Sequence, residues 1–145
     1  MIKTITGITI LLGLQSGLNA QDSQFETASH TLNIRIENLK SNEGKIYIAL
    51  HDDEGNWLKD AYRDNISEIN DCKSSAALYD IPNGVYGLSL FHDKNNNGKL
   101  DTGFMGIPKE PYACSNGAKG KFGPPKWNDA LFTIDKDNQE IIIRF

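Results

Sequence analysis

The sequence predicts an all-β protein, an antiparallel β-sandwich with one long ordered loop. Apolar residues alternate with polar ones, turn-forming Asn, Gly and Pro separate the alternating runs, and four of the five prolines fall in one segment. A period of two is typical of strands that bury one face and expose the other. Several short strands joined by turn-rich connections indicate two packed sheets.

Two runs show this alternation clearly, and four more runs are candidate strands. Leu32, Ile34 and Ile36 alternate with polar residues, and Ile46, Ile48 and Leu50 repeat the pattern. The predicted strands are residues 32–36, 46–50, 74–80, 85–91, 130–135 and 140–145. Residues 52–70 are ambiguous, because their apolar residues fit either one short helix or a wide loop.

The N-terminus reads as a targeting segment. Lys3 precedes an apolar run over residues 5–14, and Ala20 ends a plausible cleavage site. This order is typical of a secretory signal peptide, and the run is too short to span a bilayer. We therefore expect a signal peptide over residues 1–20, a single β-sandwich domain over residues 21–145, no membrane span, and a periplasmic or secreted location.

The charge of the chain argues against a nucleic-acid partner. The net charge is −4, and it becomes −5 without Lys3, the only charged residue of the first twenty. Binding to phosphate backbones needs clustered Lys and Arg. An acidic surface is instead compatible with a cation-binding protein.

The most informative motif begins at the end of the predicted strand 85–91. Oxygen-bearing side chains occur at alternate positions before a glycine, in the order expected for a calcium loop. Position seven of such a loop binds through its carbonyl, and position nine binds directly or through water. The predicted ligands are Asp93, Asn95, Asn97, the Lys99 carbonyl and Asp101, with Gly98 at the turn.

The twelfth position of the loop departs from the helix–loop–helix form of this site. Phe104 stands where that form places a bidentate glutamate. Two acids further along, Glu110 and Asp129, are the candidates to supply the missing carboxylate. Each has a simpler reading: Glu110 as an exposed loop residue, and Asp129 as a turn residue before a strand.

The segment from residue 99 to residue 128 interrupts the strand pattern. A structureless loop of this length is uncommon in a compact domain and is usually functional or disordered. We expect it to be ordered, because its apolar residues should pack onto one end of the sandwich as a cap. These residues are Phe104, Met105, Ile107, Tyr112, Phe122 and Trp127.

The two cysteines, Cys72 and Cys114, are predicted to form a disulfide. An exported chain meets an oxidising compartment, where a single pair is most simply read as a bridge. The alternative is two separately buried thiols that behave as small apolar residues.

The central motifs resemble those of a bacterial exported family, the domain of unknown function (DUF) 2141. The resemblance rests on F-H-D-K-N-N-N-G-K-L-D at 91–101, G-I-P-K-E-P-Y at 106–112 and F-G-P-P at 122–125. It implies a prealbumin-like sandwich similar to the regulatory domains of carboxypeptidases. It does not point to any activity, because none is established for the family. Cys114 stands where the family more often has an aromatic residue, which is consistent with a disulfide particular to this subgroup.

Two functions from different classes fit these observations. The first is an exported calcium-binding module that contacts an unknown envelope protein or glycan through Tyr112, Lys119, Lys121 and Trp127. The second is a metal-assisted hydrolase with His92 or Glu110 as general base. The sequence contains neither a G-x-S-x-G nucleophile turn nor an H-E-x-x-H zinc motif, which favours the module.

Overall fold

A computed structural model describes residues 28–145 of the chain, and the predicted signal peptide lies outside them. Eight strands dominate, together with three 3-10 turns and one helical turn. The strands are β1 (Ser29–Glu37), β2 (Lys45–His51), β3 (Arg63–Glu68), β4 (Ser74–Pro82), β5 (Gly84–Asp93), β6 (Tyr112–Cys114), β7 (Leu131–Ile134) and β8 (Gln139–Arg144). The 3-10 turns are Glu54–Asn56, Phe104–Gly106 and Ser115–Gly117, and the helical turn is α1 (Trp127–Ala130).

The strands form two sheets, as the sequence predicts. The smaller sheet has the order β4-β1-β8, with β1 antiparallel to β4 and parallel to β8. The larger sheet has the order β3-β2-β5-β6, and β7 also pairs with β5. The all-β sandwich is therefore confirmed, with one parallel pair among antiparallel ones.

Strands β6 and β7 divide one edge of β5 between them. β7 pairs with residues 84–87 of β5, and β6 pairs with residues 89–91. Between the two, the buried Ser115 hydroxyl accepts the Leu88 N–H at 2.9 Å and donates to the Ala130 carbonyl. One side chain thus joins the two half-strands at the point where neither pairs with β5.

The core lies between the sheets. Alternate residues of β1, β2 and β5 supply it, and many of them are fully buried. They include Leu32, Ile34, Ile36, Ile46, Ile48, Leu50, Leu88 and Leu90. The period of two in the sequence is therefore the pattern of the core.

The ambiguous segment 52–70 resolves into a 3-10 turn followed by β3. Trp57 follows the turn and packs on the outer face of the larger sheet, with its ring 5.4 Å from that of Trp127. Both rings crowd Gly87, where an added Cβ would lie 2.7 Å from Trp127 and 2.9 Å from Trp57. A glycine at this point of β5 lets the two tryptophans lie directly on the backbone.

The predicted disulfide is absent from this fold, where Cys72 and Cys114 are both free thiols. Cys72 lies between β3 and β4, whereas Cys114 ends β6. β3 and β6 are opposite edges of the larger sheet, three strand spacings of about 4.8 Å apart, and a bridge needs Cα atoms within about 7 Å. Burial raises the pKa of Cys114 to about 12, so it is an inert apolar side chain.

The described part of the chain holds no helix that is long and apolar enough to cross a membrane.

Candidate functional site

The predicted calcium loop starts at a fully buried carboxylate. Asp93 ends β5 with no exposed surface, and the following chain wraps around it. Its Oδ1 accepts the Asn97 N–H at 3.2 Å, and its Oδ2 accepts the Gly98 N–H at 2.8 Å. Gly98 has φ +78, a left-handed conformation that glycine adopts freely. Asp93 therefore sits at the centre of the turn.

The other predicted side chains of the loop converge on Asp101. The Asn97 amide donates to both Asp101 carboxylate oxygens, at 2.9 and 3.1 Å, and the Asn95 amide donates to Oδ2 at 2.6 Å. The bonds from Asn97 and then Asn95 hold the pKa of Asp101 below its usual value. The alternate spacing of the sequence thus corresponds to one cluster of oxygens and amides.

Glu110 joins this cluster from the far side. Its Oε1 accepts the Lys94 N–H at 2.9 Å, and its Oε2 accepts the Asp101 N–H at 3.0 Å. The side chain is only 8% exposed. One carboxylate therefore ties the beginning of the loop to its end, across 16 positions of sequence from Lys94.

The loop rests on the turn before β2. Gly44 has φ +74, and an added Cβ there would lie 1.9 Å from the Asp93 carbonyl oxygen, so only glycine fits. Beside it, His92 donates from Nε2 to the Glu43 carbonyl at 2.6 Å, because a carbonyl oxygen only accepts. His92 has no exposed surface. Both contacts hold the start of the loop in place.

Within residues 28–145, none of the three carboxylates of the cluster forms an ion pair. The four ion pairs found within residues 28–145 involve other acids, and none includes Asp93, Asp101 or Glu110. Asp93 and Glu110 are nevertheless buried, where an isolated carboxylate is unfavourable without compensating charge. The cluster has the charge and the oxygens to receive a cation.

The donor set fits a hard cation that takes oxygen ligands. No three His, Cys, Asp or Glu side chains of the described region lie close enough together to hold a metal alone. The amides of Asn95 and Asn97 and the Lys99 carbonyl would therefore have to contribute. The amide oxygens now accept the N–H groups of Asn97 and Lys99, so a half-turn that directs either oxygen toward Asp101 gives up that bond. Mixed carboxylate, amide and carbonyl ligation is what Ca²⁺ accepts.

Asp129 lies apart from this cluster. It is exposed within α1, and its backbone carbonyl is the acceptor for Asn116 at 3.5 Å. α1 contacts β5 near Gly87, toward the opposite end of that strand from Asp93. Of the two acids that the sequence proposes for the missing position, only Glu110 is next to the loop.

The predicted binding surface is divided in the structure. Lys119 and Lys121 are exposed, whereas Tyr112 and Trp127 are half-buried. Tyr112 pairs with Phe91 on the larger sheet, and Trp127 packs against Trp57. Both aromatic residues have packing roles as well as some accessible surface.

The expected apolar cap is wrong for most of the long loop. Phe104, Met105 and Ile107 are 86%, 84% and 64% exposed, and Phe122 is fully exposed. Backbone hydrogen bonds and the polar cluster order the first part of the loop, so its apolar side chains are free to point outward.

A polar network that the sequence analysis missed lies under Trp57. His51 Nδ1 donates to the Asp60 carbonyl at 3.1 Å, which leaves Nε2 to accept from the Ser89 hydroxyl at 3.0 Å. Loss of hydration lowers the pKa of His51, so the ring is neutral. The network fixes the segment that carries Trp57 to the sheet.

A family model described as "Uncharacterized protein conserved in bacteria (DUF2141)" matches residues 34–142, well over half of the chain. The chain belongs to this family. DUF2141 membership confirms the resemblance seen in the central motifs, and the match includes the whole Asp93–Glu110 region. The family description names no activity, and no curated protein matches the chain.

Proposed function

We propose that this DUF2141 protein is an exported calcium-binding β-sandwich module of the bacterial envelope, periplasmic or secreted, in which calcium fixes a loop that contacts a partner. The observation that carries the proposal is the group of Asp93, Asp101 and Glu110 in a loop with calcium-ligand spacing. Asp93 and Glu110 are buried, and none of the three forms an ion pair within residues 28–145. A divalent cation would compensate the charges of the buried Asp93 and Glu110, with which no Lys or Arg of the described residues forms an ion pair.

Calcium suits the loop better than magnesium does. Magnesium demands near-ideal octahedral geometry and keeps several waters, whereas calcium accepts six to eight oxygens in irregular arrangements. Asp93, Asn95, Asn97, Lys99 and Asp101 offer such a mixed set. Glu110 holds two backbone N–H groups at the ends of the loop and would act as a ligand or as the support of one.

The hydrolase alternative has less support. A general base must reach a substrate or a water, and His92 has no exposed surface, while both Glu110 oxygens already accept backbone hydrogen bonds. A supporting role for both residues agrees with these contacts, and the module is the function we favour.

Thermal melting with calcium and with a chelator tests the proposal. A ligand that binds only the native state stabilises it by about 2.7 kcal/mol at a hundredfold excess over Kd. The wild type should therefore melt higher in calcium. Asp93→Asn keeps the shape of the side chain and removes its charge, so this variant should lose most of the difference.

Asp129→Asn is the matched control, because it removes an exposed acid of the same long segment outside the cluster. It should keep the full calcium response. Each variant is compared with itself in the two buffers, which separates a binding defect from a general loss of stability. A wild-type melting temperature that does not respond to calcium would refute the proposal.

A further inference from the structure

Residues 101–109 form a small apolar hairpin that grows directly out of the loop; we refer to it as the finger. Its two sides are joined by the Lys109 N–H bond to the Asp101 carbonyl at 2.8 Å and the Gly103 N–H bond to the Ile107 carbonyl at 2.7 Å. Thr102 and Pro108 form a β-bridge between these bonds. The finger is thus an ordered projection and not a loose connection.

The tip of the finger is apolar and in water. Phe104, Met105 and Ile107 expose most of their surface, and they lie within four consecutive residues. Met105 has φ 58 and Gly106 has φ 73, so the chain reverses tightly between the exposed side chains. Apolar groups held outward in this way are typical of an interaction site.

The base of the finger is tied to the charged cluster. Asp101 begins the hairpin, and its N–H is held by Glu110, which directly follows the hairpin. Glu110 also holds the N–H of Lys94 at the start of the loop. The orientation of the finger on the sandwich therefore depends on the same carboxylates that form the candidate calcium site.

Charge is distributed unevenly around this projection. Residues 94–109 contain three lysines, Lys94, Lys99 and Lys109, against one acid, Asp101, which already accepts bonds from Asn95 and Asn97. Between the buried acids Asp93 and Glu110, this segment has a net charge of +2, whereas the rest of the chain, those two acids included, totals −6. All three lysines are exposed, and the Lys109 side chain lies beside Gly103 on the finger, where an added Cβ would be 3.2 Å from Lys109 Cε.

We propose that the finger inserts its tip into the interface of an anionic phospholipid bilayer, an activity that goes beyond the proposed calcium-binding function. Apolar side chains at the tip would enter the boundary between headgroups and acyl chains, and the lysines at the base would meet the lipid phosphates. Peripheral binding strength rises with both the apolar area buried and the attraction to anionic lipid.

The shape of the finger favours a bilayer over a folded protein. Three neighbouring side chains on a narrow turn project as a wedge, and a protein partner would need a preformed cavity to receive them. A bilayer needs none. The acidic remainder of the chain would be repelled by anionic lipid, so the exposed Lys94, Lys99 and Lys109 around the finger would also set the orientation of the molecule on the surface.

Vesicle cosedimentation tests the inference, with phosphatidylcholine vesicles and with vesicles that also contain phosphatidylglycerol. We expect binding to the mixed vesicles and weak binding to phosphatidylcholine alone. The double variant Phe104→Ser with Met105→Asn should lower the partition coefficient by at least roughly tenfold, given the area of two large apolar side chains. Asn at position 105 accepts the left-handed backbone, so the turn is kept.

The matched control is Phe122→Ser, which removes another fully exposed aromatic residue flanked by Lys121. Phe122 lies between Ser115–Gly117 and α1, which contact the Gly87–Leu88 part of β5, so it is outside the finger. This variant should bind as the wild type does. All variants carry the same N-terminus, so any contribution of residues 1–20 is equal among them.

Two results would overturn the inference. The first is equal vesicle binding by the wild type and the finger variant. The second is no binding to the anionic vesicles at all, in which case a protein would be the partner of the finger. Each variant is also melted with calcium and with chelator. If melting responds to calcium while vesicles are not bound, only the lipid inference fails. If vesicles are bound while melting does not respond, only the calcium proposal fails.

Discussion

The long segment between β5 and β7 is ordered in two different ways along its length. In its first half, from Lys94 to Glu110, carboxylates and amides bond to backbone groups, and the large apolar side chains face water. In its second half, after β6, Trp127 packs on Trp57, and Ser115 is buried between two half-strands. One half is held by charge and hydrogen bonds, and the other by aromatic packing.

Because different interactions order the two halves of the segment, the halves should respond to different disturbances. Buried apolar contacts do not depend on calcium, whereas a cluster of carboxylates without ion-pair partners in the described residues should loosen when the proposed calcium ion is withdrawn. The second half then belongs to the folding unit of the sandwich, and the first half is the part that can open locally.

The largest expected effect belongs to Trp57→Ala. Trp57 is 9% exposed, its ring packs on Trp127 and His51, and its indole N–H donates to the Pro125 carbonyl at 2.8 Å. We expect a loss of about 3–5 kcal/mol in the free energy of unfolding, as for other buried large aromatic residues. Urea denaturation measures it.

The control for this variant is Phe122→Ala, since Phe122 is fully exposed and should change stability by no more than about 0.5 kcal/mol. The calcium-dependent part of stability should survive in Trp57→Ala. Loss of that part would mean that the two halves are not independent.

Chelation of calcium should act on the first half alone. At a hundredfold excess over Kd, bound calcium suppresses opening of its site by about a hundredfold, or 2.7 kcal/mol. In chelator, hydrogen exchange should therefore speed up by as much as about a hundredfold at four amides that bond to carboxylates of the cluster. These are the amides of Lys94, Asn97, Gly98 and Asp101. Amides of α1 and β7 should keep their rates. A uniform increase in hydrogen-exchange rates across the chain would contradict the independence of the two halves.

Ser115→Ala tests the junction of the second half. The change leaves the buried Leu88 N–H without its acceptor and the Ala130 carbonyl without its donor. An unsatisfied buried group costs about 1–3 kcal/mol, which urea denaturation would detect. Ser75→Ala, at an exposed position of β4, should cost much less. Equal effects of the two changes would show that the hydroxyl does not join β6 to β7.

The smallest expected effect is a pH dependence through His51. Burial lowers the pKa of this ring in the folded protein, while in the unfolded chain it is about 6.5. Between these two pKa values the unfolded state binds more protons than the folded state does. The contribution of neutral His51 to the free energy of unfolding is therefore intact above about pH 6.5 and declines as the pH falls below it. The loss is at most about 1.4 kcal/mol per pH unit.

The urea midpoint of His51→Asn should change less between pH 7.5 and pH 5.5 than that of the wild type. These pH values lie roughly one unit above and one unit below the pKa of histidine in the unfolded chain. The finger and the calcium response should not change in this variant. A wild-type curve as flat as that of the variant would show that His51 does not titrate differently in the two states.

Much of the fold could be predicted because its core residues alternate. Leu32, Ile34 and Ile36 show one buried face in the sequence itself. β3 was missed because its buried residue is Ser67 and its apolar Ile66 is half-exposed, which inverts the usual pattern. β6 is three residues long beside Pro111, too short for any period to be visible.

The candidate site could be predicted only where its residues are close in sequence. The spacing from Asp93 to Asp101 is local and therefore visible, whereas the place of Glu110 depends on the hairpin that returns it to Lys94. The fold keeps Cys72 and Cys114 apart, although their residue type and number suggested a disulfide. Residue type alone does not show which residues are close in space. The exposure of Phe104 also could not be predicted, because composition alone suggests burial.

The division of the β5 edge between β6 and β7 has a consequence for aggregation. A long, flat edge strand offers a row of free N–H and C=O groups on which another chain can add a strand. Here the outer edge of the sheet consists of one strand of three residues and one of four, separated by the turn that contains Ser115. An incoming strand would find no continuous register to extend, so this border of the sheet resists the self-association that exposed strands invite.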